Sequence, residues 1–122
     1  MECVPPTCVR FVNLTPHAIN VVQPNGDVLT IPPSGRIARV KTYSVPAGEV
    51  AGIPVVRVEY GDIEGLPEPQ PGTVYIVSTM VILALRAKGI RRNDVVSPDT
   101  SPESVVRDEK GNIIGVKRFQ TV

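Results

Sequence analysis

The sequence predicts a β-dominated α+β domain. Six or seven short strands form a sandwich or a partly open barrel with one buried helix, at about residues 78–88. Three features predict it: a strand running directly into an apolar helix at 73–90, two hairpin signatures at 24–26 and 108–112, and short β-branched runs punctuated by turn residues.

The first feature organises the rest. Thr73 to Val77 (TVYIV) is β-branched and aromatic with no breaker, which suits a strand. Ser78 is an N-cap residue and Gly89 a C-cap residue, and Arg86 and Lys88 fall in the last turn, where cations favour the helix dipole. Met80 to Leu85 is apolar without a gap, so this helix is expected to be buried on most sides. At roughly 16 Å it is too short to cross a bilayer.

The other elements follow in order. Val9–Leu14 reads as a strand that ends or bulges at Pro16. Ala18–Gln23 and Asp27–Ile31 are the arms of a hairpin around Pro24-Asn25-Gly26. Pro32–Gly35 is a turn and Arg36–Tyr43 a strand. Pro46–Gly52 reads as a loop because of its proline and glycines. Val55–Tyr60 alternates, with Val56, Val58 and Tyr60 expected inward and Arg57 and Glu59 outward. Gly65–Gly72, with proline at every second position, is a stiff connector rather than an adaptor-domain ligand. Val95-Val96 is a very short strand. Ser104–Phe119 is the second hairpin, and Gly115 in its return arm predicts a bulge or a close backbone approach.

Size and composition set bounds. A chain of 122 residues, 42% hydrophobic and 20% charged, is expected to form a single globular domain over 1–122. A net charge of +1 gives no strong pull toward nucleic acid or an anionic membrane. The basic residues Arg36, Arg39, Arg91, Arg92, Lys117 and Arg118 have no interleaved aromatic set, which disfavours nucleic-acid binding. No leader pattern opens the chain, and the cytoplasm is the expected compartment. Thirteen prolines with few Gln and Asn lean toward heat adaptation. Cys3 and Cys8 are expected as free thiols, with a disulfide as the alternative. No metal or cofactor is expected.

Candidate chemistry is sparse. His17, the one histidine, follows a proline at a strand break and could serve as a base or ligand contact. Ser78 and Thr79 open the helix, where free N–H groups favour anions, but no phosphate-loop pattern precedes them. Asp94, Asp99 and Arg107, with Asp108, could hold a phosphate through a divalent ion, or could simply shape turns. The leading expectation is a non-enzymatic binding or self-associating module, a homodimer formed through a strand edge or an apolar patch. The alternative is a small enzyme or ligand-binding domain for a phosphorylated or nucleotide-like compound, using His17, Ser78, Thr79, Asp94, Asp99 and Arg107.

Several strings are distinctive: VNLTPHAI at 12–19, PPSGRIARV at 32–40, GLPEPQPGTVYIVS at 65–78, RNDVVSPDT at 92–100 and SVVRDEKGNIIGVKRF at 104–119. With them the chain resembles a family of small, functionally unassigned proteins of bacteria, their phages and viruses of thermophilic archaea. The resemblance covers nearly all the chain beyond its first ten residues. It implies one compact domain, of viral or mobile-element origin, and supplies no catalytic residues.

Overall fold

Apolar residues on both faces of one short strand fix the layering. The computed structural model of the chain describes residues 9–122. Its elements are β1 (Arg10–Asn13), β2 (Ile19–Val22), β3 (Val28–Ile31), β4 (Arg39–Val50), β5 (Ile53–Glu64), β6 (Thr73–Ile76), α1 (Thr79–Ala87), β7 (Val95–Pro98), β8 (Val105–Arg107), β9 (Ile113–Val116) and β10 (Phe119–Thr121). Tyr75 and Val77 pack under α1, while Ile76 packs toward the other side. The strand is therefore covered twice, as expected of a continuous apolar run at the centre of a parallel sheet.

Two four-stranded sheets result, in the orders β1-β6-β7-β10 and β3-β2-β9-β8. In the first, β1, β6 and β7 run parallel and β10 is antiparallel. The helix lies on one face of this sheet over Leu14, Tyr75, Val77 and Val95. The second sheet covers the other face, joining Ile19, Val21, Ile31 and Val116 to Ile76. Phe11 and Phe119 meet at this boundary with ring centroids 5.8 Å apart. The β-dominated α+β class and the sandwich are thus observed, with ten strands among the described residues rather than six or seven.

The helix ends as its sequence predicts. Gly89 takes φ +71°, its N–H donates to Arg86 O, and the Ile90 N–H donates to Leu85 O, a Schellman closure. Ser78 occupies the N-cap position in extended conformation but makes no side-chain cap bond. Val81, Ile82, Ala84 and Leu85 are buried, while Met80 and Leu83 are exposed, so the helix is one-sided rather than buried on most sides. No helix among the described residues is long and apolar enough to cross a membrane. The Gly115 expectation holds, because a Cβ there would sit 3.0 Å from Asn20 O beside a register shift of β8 on β9.

The largest departure lies between residues 39 and 64. The expected loop at 46–52 does not exist. Instead β4 and β5 pair antiparallel from Arg39↔Glu64 to Val50↔Ile53, closed by a two-residue turn at Ala51-Gly52, both with positive φ. Val40, Ile63 and Leu66 anchor the ribbon's base on the helix cluster. Beyond that base it projects. Val56 and Val58, expected inward, are 53% and 52% exposed. Alternation signals burial in a sheet laid over a core, but in a two-stranded ribbon outside the sandwich it sorts side chains without a core to receive them. The expected free thiols at Cys3 and Cys8 fall outside the described residues.

Candidate functional surface: a projecting ribbon and a cavity at its base

Cross-strand pairs share a face of a ribbon. Thr42↔Tyr60, Ser44↔Val58 and Pro46↔Val56 lie on one face, and Tyr43↔Glu59 and Val45↔Arg57 on the other. The first face carries no charge from Thr42 to Pro46 or from Val56 to Tyr60, and beyond the register shift at Pro46/Glu49 the pair Glu49↔Pro54 continues it to the tip. At the tip, Val50 and Ile53 are each 65% exposed and Glu49 stands beside them. Pro46 and Pro54 each remove a backbone donor from strands with free edges, which disfavours strand addition there.

A cavity of about 420 Å³ opens at the ribbon's base. Arg10 on β1 and Arg36 just before β4 face it over an apolar floor of Val12, Leu14 and Tyr75, with Pro67 as a wall. Local bonding explains the convergence. The Ser34 N–H donates to Asn13 O and the Ala38 N–H to Leu14 O, which ties residues 34–38 to the C-terminal end of β1 and sets Arg36 on the rim of the cavity that Arg10 lines from the strand's start. The wall is held from behind, where Arg92 Nη2 donates to Pro67 O at 2.9 Å and the Tyr75 hydroxyl to Glu68 O. Neither Arg10 nor Arg36 forms an ion pair among the described residues. A second cavity, about 340 Å³, lies at the C-terminal end of α1 by Arg86 and Ile90.

The candidate site residues divide by location. His17, Ser78, Thr79 and Asp99 follow the C-terminal ends of the three parallel strands, so the topology brings them to one edge. Asp94 precedes β7, at the opposite end, and Arg107 lies in the second sheet. His17 bonds through its carbonyl, which accepts from Asn13 Nδ2 at 2.8 Å and Thr15 Oγ1 at 3.0 Å. Thr79 Oγ1 accepts from Gln120 Nε2 at 3.3 Å.

The charged candidates have structural partners. Asp94 takes two bonds from Arg92, which hold its carboxyl below the usual range. The Arg118 guanidinium, with the Ser101 N–H after it, holds Asp99 down to about 2. Arg107 donates to Gly111 O at 2.7 Å, and Asp108 caps its own turn by accepting from the Lys110 and Asn112 N–H groups. Of the six basic residues, Arg92 and Arg118 are thus paired within the fold and Arg39 stands opposite Glu64. Among the described residues no three His, Cys, Asp or Glu side chains are grouped to hold a metal ion.

Sequence reasoning missed Arg10 and the tip. Each looks like an ordinary solvated position until the chain is folded. Comparison with protein-family models, with curated proteins and with solved structures gave no match.

Proposed function

We propose that this chain is a non-enzymatic, self-associating module and that the β4–β5 ribbon is its association surface. The observation that carries this reading is the uncharged face of Thr42, Ser44, Pro46, Val56, Val58 and Tyr60, held out beyond the sandwich. An isolated two-stranded ribbon is marginal in water, and exposed apolar patches mark contact sites. Surface area agrees. The chain exposes 8266 Å², whereas a compact monomer of 13.1 kDa exposes about 6,400 Å². Allowing residues 1–8 all the surface of an unfolded chain still leaves an excess of roughly 900 Å². A standard interface buries about 800 Å² per partner. The family resemblance adds an accessory role in a virus or mobile element.

Sedimentation of the full chain tests the reading. The wild type is expected as a multiple of 13.1 kDa at micromolar concentration. The double variant Val56→Asp/Val58→Asp is expected as a monomer whose circular dichroism keeps the signal of α1 and whose body melts cooperatively. A monomeric wild type would overturn the proposal.

A second reading, a binding site for a phosphorylated or nucleotide-like ligand, draws on the edge shared by His17, Ser78, Thr79 and Asp99. Ser97, next along that edge on β7, is fully buried and its hydroxyl has no partner among the described residues. Thermal shift with inorganic phosphate and nucleotides tests it, and no shift at millimolar ligand removes it.

A further inference from the structure

We propose that two copies associate about a two-fold axis with their ribbons antiparallel, each tip seating Glu49, Val50 and Ile53 in the Arg10–Arg36 cavity at its partner's base. This rests on the self-association reading and specifies its geometry.

Three observations carry it. First, the tip and the cavity match chemically. The tip presents the Glu49 carboxylate on the face of Val56 and Val58, and the exposed Val50↔Ile53 pair on the opposite face beside it. The cavity presents two guanidiniums without ion-pair partners among the described residues, over an apolar floor. Arginine forks take carboxylates with two parallel bonds.

Second, the chain cannot satisfy itself. Strands of twelve residues span about 40 Å. The cavity is at the root of the same ribbon, since Arg36 and Pro67 flank it in sequence, three residues before β4 and three after β5. An extended ribbon holds its tip far from its own cavity, so the carboxylate must come from another molecule.

Third, Val56 and Val58 lie exposed along the first face, away from the exposed Val50 and Ile53 at the tip. A head-to-tail contact through the tip alone would leave Val56 and Val58 in water. Antiparallel ribbons laid face to face cover that length and bring both tips to both bases at once. Such an isologous contact closes at two copies.

Charge exchange tests the geometry. Glu49→Arg alone places Arg against arginines at both contacts, and Arg36→Glu alone places Glu against Glu49 at both. Each is expected to weaken dimerisation at least tenfold. Mixed in equal amounts, the two variants regain one opposite pair at each contact, so a heterodimer near wild-type affinity is expected. Both substitutions lie at exposed positions, and circular dichroism checks that the fold is kept.

If Glu49→Arg dimerises like the wild type, the seating is wrong although self-association stands. If the wild type is a monomer, both fall. If the mixture pairs but grows beyond two copies, the contact is head-to-tail and the two-fold arrangement is overturned.

Discussion

Arg92 grips Asp94 with a fork: Nε donates to Oδ1 at 2.8 Å and Nη2 to Oδ2 at 2.9 Å. The same Nη2 donates to Pro67 O across 25 residues of sequence. Both side chains are partly buried. The pair therefore joins the start of β7 to the proline connector that walls the basic cavity. A residue singled out for metal chemistry serves as an anchor for the arginine that holds this wall.

Removing the fork should cost stability and loosen the wall. Arg92→Ala leaves Asp94 without its partner and Pro67 O without its donor. The expected loss is about 1–2 kcal/mol, the lower part of the range for charged bonds because the pair is partly solvated. Urea denaturation at fixed protein concentration measures it. In the proposed dimer the same variant should also weaken association, which a variant destabilised elsewhere in the body would not do at equal folded fraction.

Acid should act through the paired carboxylates. Asp99 is held down to about 2 by Arg118, and Asp94 and Asp108 are also lowered, by Arg92 and by the Asn112 N–H respectively. A carboxyl with a depressed folded value stabilises fully above its unfolded value of about 3.9, and that stability is lost as pH falls through the folded value. Melting temperature should therefore decline between about pH 4 and 2. Asp99→Asn should flatten this decline while lowering stability at pH 7. A wild-type melting temperature constant down to pH 2 would contradict the assignment.

Two glycines separate conformational strain from collision. At Gly89 the backbone has φ +71° and an added Cβ meets nothing within 4 Å, so Gly89→Ala should cost about 1 kcal/mol from the left-handed backbone alone. At Gly65 φ is +80° and the Cβ would lie 2.5 Å from Ile37 O, a backbone atom that cannot swing aside. Gly65→Ala should cost at least about 2 kcal/mol more than Gly89→Ala, since the base of the ribbon must shift to admit it. Paired thermal melts check the order. Equal costs would mean that the Ile37–Gly65 approach is relaxed at little expense.

What the sequence disclosed follows from where each segment is buried. The helix could be read because its signals are local: a strand that stops at Ser78, an apolar run, and Gly89 with the backbone closure it makes. The Asp108 turn and the Pro24–Gly26 hairpin were legible for the same reason. The ribbon was not. Pro46 and Gly48 read as breakers, because they would break a strand inside a sheet, yet both strands of a ribbon are edges and tolerate them. Val56 and Val58 followed the period of a half-buried strand, and sequence alone does not tell a face turned to a core from one turned to another molecule. The cavity was hidden more deeply. Arg10 and Arg36 line one cavity only because β1 pairs with β6 while residues 34–38 bond to its C-terminal end, a non-local arrangement without a short-range signature.

The exposed apolar positions supply the last prediction, since similar exposure on the ribbon and the body should have different consequences. Met80 and Leu83 on α1 are exposed but belong to a helix already fastened by Val81, Ile82, Ala84 and Leu85. Met80→Lys should change stability by less than about 0.5 kcal/mol, as for a surface substitution, and leave the oligomeric state alone. Val58→Lys puts a charge on the uncharged ribbon face, where a facing copy would have to desolvate it. It should leave the fold of the body intact, shift sedimentation toward 13.1 kDa, and lower the thermal midpoint only at concentrations where the wild type is associated. If Met80→Lys dissociated the protein and Val58→Lys did not, the association surface would be the helix face and the ribbon would need another partner.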